Sequence, residues 1–228
     1  MSTRTNKQLA FQTVLDDSFK AHEKRMISYM AANVEKYQGF AAFIMPKLSS
    51  KSDVYIRLAF SIISANAPFD DSCKALKLVI RDKGKVLARD LLVYAGMTAN
   101  KANWVNTVYW ECQRDHKQFL KASESWQAYR LRLSKQIKGL GLCKASFAAC
   151  LLYPLEADIA CVDTWIQKVF LGHMQFRQIS IATYEQVESK IRSYARRFNI
   201  NTFLAQWLIW DHARGSTNNH AIFPGSHK

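Results

Sequence analysis

The sequence predicts an all-α fold, and two observations carry that prediction. Apolar residues recur with the helical period of about 3.6 residues along most of the 228-residue chain. No stretch of strict apolar and polar alternation is long enough to predict a strand. Since 49% of the residues are hydrophobic and only 8 are Gly and 4 Pro, the composition is that of a folded protein. We expect one two-lobed helical domain over residues 1–215, followed by a polar tail over 216–228.

Ten helices are expected, and Gly or Pro stands in many of the gaps between them. The periodicity places the helices at 7–37, 53–65, 70–82, 85–94, 100–114, 125–137, 144–153, 164–171, 183–198 and 202–213. Gly frees the backbone and Pro lacks an amide hydrogen, so both interrupt helices. Such residues are Gly39, Pro68, Gly84, Gly96, Gly139, Gly141, Pro154, Gly172 and Gly215. Local sequence signals therefore mark many of the helix ends.

The chain carries a large excess of positive charge. Lys and Arg number 32 against 18 acidic residues, which gives a formal net charge of +14. Such an excess is typical of proteins with polyanionic partners, and nucleic acid is the first candidate. On charge alone, a generally basic cytosolic protein and a membrane-surface protein remain alternatives. A motif is needed to decide between them.

The N-terminus and the cysteines favour an intracellular, cytoplasmic protein. Residues 1–7 are polar and basic with no apolar segment behind them, and no stretch approaches the roughly 20 apolar residues of a membrane span. The five cysteines include no Cys-x-x-Cys pair, which argues against a disulfide framework and a four-thiolate metal site. The histidines lack the convergent spacing of metal ligands as well. We expect reduced thiols and no metal site.

A glycine-containing connection between two predicted helices is the first sign of a binding site. Gly139 and Gly141 flank the apolar Leu140. Two Gly allow a tight turn in which Leu140 fills the space between the helices. The amides at the start of the second helix would then face outward as an anion site, flanked by Lys138 and Lys144. An ordinary helix connection has the same pattern, so the turn alone does not decide.

A single acidic residue, Asp163, follows an apolar run and opens the predicted helix 164–171. An Asp at that place is often a simple N-cap. It is also suited to catalysis, because a helix start would keep its pKa low and the side chain ionised near neutral pH. Both interpretations stay open for this residue by itself.

Together these segments resemble the pattern of the helix-hairpin-helix (HhH-GPD) DNA glycosylases, relatives of endonuclease III. That family has a hairpin of the form LPGVGxKTA followed by VDTHxxRV, and residues 137–145 and 162–169 read IKGLGLCKA and VDTWIQKV. Upstream, residues 62–67 (IISANA) resemble the family's LLSAQ segment, and residues 96–102 (GMTANKA) resemble its GxxxxKA segment. The four segments occur in the family's order, and the resemblance covers roughly residues 53–172.

The resemblance implies a two-lobed helical fold with a cleft between the lobes and a helix-hairpin-helix motif at about 134–153. Asp163 would be the catalytic carboxylate, which stabilises positive charge on the deoxyribose or activates the attacking water. Asn66 would fill the gap left by a flipped nucleotide, unless it is a polar loop residue that caps a neighbouring helix. The hairpin contacts to the DNA backbone would come from Lys138, Gly139, Leu140, Gly141 and Lys144.

Some positions depart from the family pattern. In the glycosylases that also cleave the strand, the hairpin's second helix supplies a nucleophilic Lys, and that position is Cys143 here, with Lys144 next. One residue along a helix turns a side chain by about 100°, so we expect Lys144 to contact a phosphate more than to act in catalysis. Cys143 is a reactive thiol or a small buried residue. Because no Cys follows Cys161, we expect no iron-sulfur cluster and no cofactor beyond a structural cation at the hairpin.

The base pocket is expected to contain aromatic and polar side chains that stack on the base and read its edge. Most Trp at helical spacing belong to the core, so each candidate has that alternative. The candidates are Trp165, Trp207, Trp210 and Asp211. The expected partner is double-stranded DNA with a damaged or modified base, bound by a monomer.

Three functions stay open at this point. The first is a monofunctional DNA glycosylase that hydrolyses the N-glycosidic bond. The second is group transfer at a 5-substituted pyrimidine, because residues 139–147 (GLGLCKASF) are similar to viral members of the superfamily, and phage proteins reuse this fold in thymine hypermodification. The third is a DNA-binding module without catalysis, which would keep the hairpin and have no need of Asp163. The sequence does not indicate the target base.

Overall fold

Helices are the regular structure of the part of the chain that the structure describes. The structure is a computed structural model that describes residues 20–37, 48, 50–82, 88–172 and 179–215. Within these ranges no strand occurs, which confirms the all-α prediction. Helix α1 covers residues 20–37. The other α-helices are α2 (Lys51–Ile63), α3 (Phe69–Arg81), α4 (Ala88–Leu91), α5 (Ala99–Asp115), α6 (Trp126–Gln136), α7 (Leu142–Leu152), α8 (Thr164–Leu171), α9 (Ile181–Arg197) and α10 (Thr202–Arg214), with a 3-10 helix at His116–Phe119.

Most predicted helices lie within two residues of the observed ones, and the capping residues explain the differences. Helix α9 begins two residues before the predicted start because the Ser180 side chain accepts the amide of Thr183 at 3.1 Å. The predicted helix 85–94 was wrong at its end, since α4 stops at Leu91 in a turn closed by the amide of Tyr94. The predicted tail 216–228 and residues 7–19 of the predicted helix 7–37 lie outside the described residues.

The helices form two groups. In the first, α2 packs against α3, α5 and α7, and α6 packs against α7. In the second, α10 packs against α8 and α9. Helix α1 joins the second group through Tyr29, whose ring lies 5.4 Å from that of His212. A continuous set of buried apolar side chains includes members of both groups. The α6–α7 connection therefore belongs to the first group, and Asp163 ends the segment that leads into the second.

Candidate functional site

The connection between α6 and α7 is a tight turn supported by Trp104. Gly139 has a φ of +90°. A Cβ added there would lie 2.3 Å from Cε3 of Trp104, so only Gly suits both the backbone conformation and the space. Leu140 is 3% exposed and packs in the core. The expected tight turn with a buried Leu140 is confirmed.

The first turn of α7 is open at its N-terminus. Gly141 is the N-cap residue and supplies no side chain to cap the helix. It is exposed, and a Cβ added there would meet nothing within 4 Å. Amides at a helix start attract anions because they lack intrahelical partners and lie at the positive end of the helix dipole. With the exposed Lys138 nearby in the chain, this geometry suits a phosphate, and the DNA contact itself stays a prediction.

Lys138 also borders a cavity of about 400 Å³ between α5 and the hairpin. Its lining is polar and apolar in about equal measure and includes the Trp104 side chain that supports Gly139. The other lining residues are Asn100, Asn103, Thr107, Val108, Glu111, Gln136 and Ile137. A groove of mixed polarity therefore adjoins the hairpin.

Asp163 is the N-cap of α8, and three N–H groups donate to its carboxylate. Oδ1 accepts the backbone amides of Trp165 and Ile166, each at 3.0 Å. Oδ2 accepts the indole Nε1–H of Trp210 at 2.8 Å. The side chain is therefore a helix cap and, at the same time, a carboxylate fixed in one orientation from both of its oxygens.

Burial shifts the pKa of Asp163 in the direction opposite to the expected one. We expected the helix start to keep its pKa low. Burial instead raises the pKa of this carboxyl group above its ordinary value, and the Ile166 amide, the Lys144 charge, the Trp210 indole and the Trp165 amide only partly offset that rise. The expectation was wrong because the loss of hydration outweighs the donors at the helix start.

The charge of Lys144 acts on the candidate catalytic carboxylate. Its Nζ donates to Oγ of Ser64 at 3.1 Å and lies 5.1 Å from the centroid of the Phe147 ring. Its positive charge lowers the pKa of Asp163. A contact of Lys144 with a phosphate stays a prediction, whereas its electrostatic link to Asp163 is a feature that the sequence did not indicate.

Cys143, at the position of the family's nucleophilic Lys, faces another thiol. Its Sγ lies 3.2 Å from Sγ of Cys161, which is 3% exposed. Cys143 itself is partly buried. This environment favours the interpretation of Cys143 as a packed thiol beside the hairpin.

The segment 157–163, which leads to Asp163, has no regular structure and is held by side chains from α9 and α10. Three consecutive amides donate to buried side chains: Ala160 to Glu188 at 2.9 Å, Cys161 to Gln206 at 2.6 Å and Val162 to Tyr184 at 3.1 Å. Sequence analysis missed these three partners. Polar residues on the apolar faces of α9 and α10 were the available signal, because a buried polar group requires a partner.

A buried ion pair strengthens the same support. Arg130 and Glu188 are 1% and 0% exposed, and their charged groups lie 2.8 Å apart. Burial raises the pKa of Glu188, and Arg130 opposes that rise. Removing one partner of a buried pair costs roughly 3–5 kcal/mol because the other charge is left uncompensated. Helices α6 and α9 are thus tied together where they hold the segment that leads to Asp163.

Asn66 lies in a turn after α2, with a φ of +49° and an exposed side chain. Asn is one of the few non-Gly residues that adopt this left-handed conformation readily. Gly96 packs directly under the turn, because a Cβ added to it would lie 2.7 Å from Cα of Ala67 and from the Asn66 carbonyl oxygen. The placement leaves the Asn66 side chain accessible, and its role toward DNA stays a prediction.

Lys101 is 7% exposed and binds three backbone carbonyls around this turn. Its Nζ donates to the carbonyl oxygens of Ile63 at 3.2 Å and Gly96 at 2.7 Å, and to that of Ala65. Burial and the charge of Lys144 lower the pKa of Lys101 to about 8. The sequence matched this Lys to a family segment and gave it no role.

Trp210 connects Asp163 to an aromatic cluster. Its ring packs edge-on against Trp207 and Phe69, with centroids 5.3 and 5.2 Å away. The guanidinium of Arg214 lies 4.3 Å from its ring centroid. Trp207 is 4% exposed, whereas Trp210 is partly exposed. Of the base-pocket candidates, Trp210 is the one whose side chain contacts Asp163, and Trp207 packs behind it in the core.

Asp211 and Trp165 do not join that cluster. Asp211 is 1% exposed and accepts the hydroxyl of Tyr37 on α1. Burial raises the pKa of Asp211 to about 7. Trp165 gives its backbone amide to Asp163, and its ring lies 5.5 Å from the Nζ of Lys168. Contacts of either side chain with a base stay predictions.

Within residues 20–37, 48, 50–82, 88–172 and 179–215, no group of three or more His, Cys, Asp or Glu side chains could hold a metal ion. Among the helices described, none combines the length and the apolar character needed to cross a bilayer.

The chain is similar in structure to solved 8-oxoguanine DNA glycosylases. The glycosylase/lyase of Methanocaldococcus jannaschii, crystallised with a 15mer DNA containing 8-oxoguanine, has a TM-score of 0.68 at 16% identity over 87% of this chain and 99% of that one. A second structure of the enzyme from that organism gives 0.65 at 19% identity, covering 85% and 94% of the two chains. The 8-oxoguanine DNA glycosylase of Thermotoga maritima gives 0.64 at 16%, covering 88% and 98%.

Sequence comparisons add no relative. No family model matches the chain, and a search of curated proteins finds no significant match. At sequence identities of 16 to 19%, the structural similarity establishes the fold alone. Since the similarity spans nearly the whole of each solved enzyme, the chain has the helical, HhH-GPD type fold of these 8-oxoguanine DNA glycosylases.

Proposed function

We propose that this protein is a DNA glycosylase that flips a damaged or modified base out of the duplex and hydrolyses its N-glycosidic bond. One observation carries the proposal: a partly buried carboxylate, Asp163, is fixed by three N–H donors on the fold of solved glycosylases. A binding module has no need for a carboxylate held from both oxygens. A simple helix cap has no need for the indole of Trp210.

Asp163 would act on the developing charge of the sugar. Cleavage of the N-glycosidic bond leaves positive charge on the deoxyribose, which an ionised carboxylate stabilises, and the same group accepts a proton from the attacking water. A pKa above the ordinary Asp value makes the carboxylate a better proton acceptor. The Lys144 charge favours the ionised form that both roles require.

The DNA backbone would bind at the hairpin. The net charge of +14, the open first turn of α7 and the exposed Lys138 support this assignment. Phosphate contacts of this kind fix the register of the duplex without reading its sequence. Asn66 would then enter the stack in place of the flipped nucleotide, since displacing a base leaves a gap that a side chain can fill.

The first candidate substrate is 8-oxoguanine, because the solved enzymes with this fold act on that base. The partly exposed ring of Trp210, next to Asp163, is suited to stack on a flipped purine. Stacking would place the glycosidic bond near the carboxylate.

We further propose that the enzyme is monofunctional and works without a cofactor, as a monomer. The position of the family's nucleophilic Lys is Cys143, and its thiol faces Cys161. A lyase would need Lys144 as the nucleophile in its place. Borohydride trapping tests this point, since an imine between Lys144 and the sugar would be reduced to a stable cross-link. We expect no cross-link, the same activity in EDTA, and a monomer by sedimentation.

The decisive test uses duplexes with 8-oxoguanine opposite each normal base, together with other damaged bases and 5-modified pyrimidines. Strands are separated on denaturing gels with and without alkali, which cleaves abasic sites. We expect alkali-dependent breaks from the wild type and a loss of about 10²-fold or more for Asp163→Asn. Intact strands across the panel despite tight binding would reject the proposal and favour base modification or simple binding.

A further inference from the structure

We propose that Lys101 is a positioning residue that holds the Asn66 turn against Gly96, so that the Asn66 side chain can enter the duplex where a nucleotide is displaced. The role of Asn66 rests on the proposed function. The role of Lys101 rests on the contacts of its ammonium group.

The ammonium of Lys101 joins two segments that are distant in sequence. The carbonyls of Ile63 and Ala65 belong to the end of α2 and the turn after it, whereas that of Gly96 belongs to the loop before α5. Carbonyls at a helix C-terminus lack intrahelical partners and carry negative partial charge, which a cation complements. Three N–H donors meet three acceptors. Lys101 thus ties the Asn66 turn to the loop before α5.

The turn itself depends on such support. Asn66 has a φ of +49°, a region that Asn adopts more readily than other non-Gly residues but keeps as a single conformation only where its surroundings hold it. A Cβ added to Gly96 would lie only 2.7 Å from backbone atoms of Asn66 and Ala67, so the backbone of the loop before α5 lies directly against the turn. Without the ammonium, the carbonyls of Ala65 and Gly96 would face each other with no donor between them.

The same turn is connected to the catalytic side of the site. Ser64, two residues before Asn66, accepts Nζ of Lys144, whose charge acts on Asp163. Holding the turn therefore fixes Asn66 relative to Asp163. A helix cap that served stability alone would stabilise α2 and would not need to be coupled to Asn66 when DNA is bound.

A double-mutant cycle on DNA binding separates these two roles. The variants are Lys101→Met, which keeps the aliphatic chain and removes the charge, Asn66→Ala, and the two combined. Lys117→Met is the control, because Lys117 is exposed in the 3-10 helix that follows α5. The probe is a duplex with a tetrahydrofuran abasic-site analogue, compared with the same duplex intact. Only the duplex with the abasic-site analogue offers a gap that Asn66 can fill, and its binding can be measured without any excision of a base.

We expect Asn66→Ala and Lys101→Met each to weaken binding to the abasic duplex by about tenfold relative to the intact one, with the double variant no weaker than Asn66→Ala. Lys117→Met should bind like the wild type. Independent, additive effects, or equal weakening on both duplexes, would overturn the proposal. If Lys101→Met does not fold, Lys101→Gln takes its place in the cycle.

Hydrogen exchange on the free protein gives a readout that needs no DNA. Lys101→Met should speed exchange of the amides at residues 64–67, and unchanged exchange there would overturn the proposal. The test of base excision is independent of this one. If the double-mutant cycle shows coupling between Lys101 and Asn66 but the wild type excises no base, the glycosylase proposal is rejected and the role of Lys101 is kept. If the wild type excises a base but the two substitutions have additive effects on binding, the role of Lys101 is rejected and the glycosylase proposal is kept.

Discussion

Trp210 donates its indole N–H to the carboxylate of Asp163 across 2.8 Å, and this bond joins the middle of α10 to the first turn of α8. The same ring packs on Trp207 and Phe69 and is partly exposed. A side chain that could stack on a base therefore also orients the group that would act on its sugar. A change at Trp210 alters both at once.

The first prediction concerns the variant Trp210→Phe. It keeps an aromatic ring and removes the donor to the ionised carboxylate, so the pKa of Asp163 should rise further and the acid limb of the excision rate should move to higher pH. A hydrogen bond to a charged group contributes roughly 1.5–3 kcal/mol, so at a pH on the acid limb a loss in rate of about tenfold or more is expected. Single-turnover rates across pH measure this. Trp110→Phe, at a ring that is 64% exposed, is the control, and an unmoved acid limb would contradict the prediction.

The second prediction concerns the pH dependence of stability. The folded-state pKa of Asp211, about 7, lies above its ordinary value of 3.8, so the folded protein binds the proton more tightly than the unfolded chain. The stability from this group is present below pH 3.8 and is lost as pH rises through 7. The loss amounts to about 4 kcal/mol as an upper figure. The free energy of unfolding of Asp211→Asn, measured with denaturant, should fall less with rising pH over that interval than that of the wild type. The same fall in both proteins would contradict the assignment.

The third prediction compares the two hairpin glycines. Gly139→Ala should destabilise the fold by roughly 1–3 kcal/mol, because the φ of +90° and the 2.3 Å approach to Trp104 both oppose a Cβ. Gly141→Ala meets nothing within 4 Å and should unfold like the wild type. It should still weaken DNA binding, since its methyl group would stand at the open start of α7. Thermal melts and binding isotherms separate the two effects, and equal DNA affinity in Gly141→Ala would argue against a phosphate there.

The fourth prediction concerns the thiols of Cys143 and Cys161. Their sulfur atoms lie 3.2 Å apart, and a disulfide needs about 2 Å. A diazene oxidant such as diamide, which accepts the two thiol hydrogens, should therefore join them in the folded protein. Thiol titration after denaturation should show two fewer free thiols, and Cys143→Ser should abolish the change. Cys150, which is fully buried, should stay reduced, and a disulfide that includes it would contradict the prediction.

The sequence was sufficient for most of the helices and for the hairpin, because their signals are local. Period, caps and glycines placed α9 within two residues, and the paired Gly139 and Gly141 marked the turn. The resemblance to glycosylases singled out Asp163. These features depend on neighbours in the chain.

What the sequence could not provide depends on distant partners. The pKa of Asp163 was expected to be low and is raised, because burial arises from helices far away in sequence. Tyr184, Glu188 and Gln206 became meaningful only once their partners in the segment 157–163 were seen. Lys101 likewise bonds carbonyls more than thirty residues before it as well as one nearby.

The segment 157–163 has a further consequence for heat resistance. A loop usually opens by local fraying at little cost, but three successive amides of this one donate to side chains that are buried on α9 and α10. We therefore expect these amides to be among the best protected against hydrogen exchange, because opening the loop breaks bonds to the packed interior. Asp163, at the end of the loop, should keep its place on heating until the surrounding helices come apart.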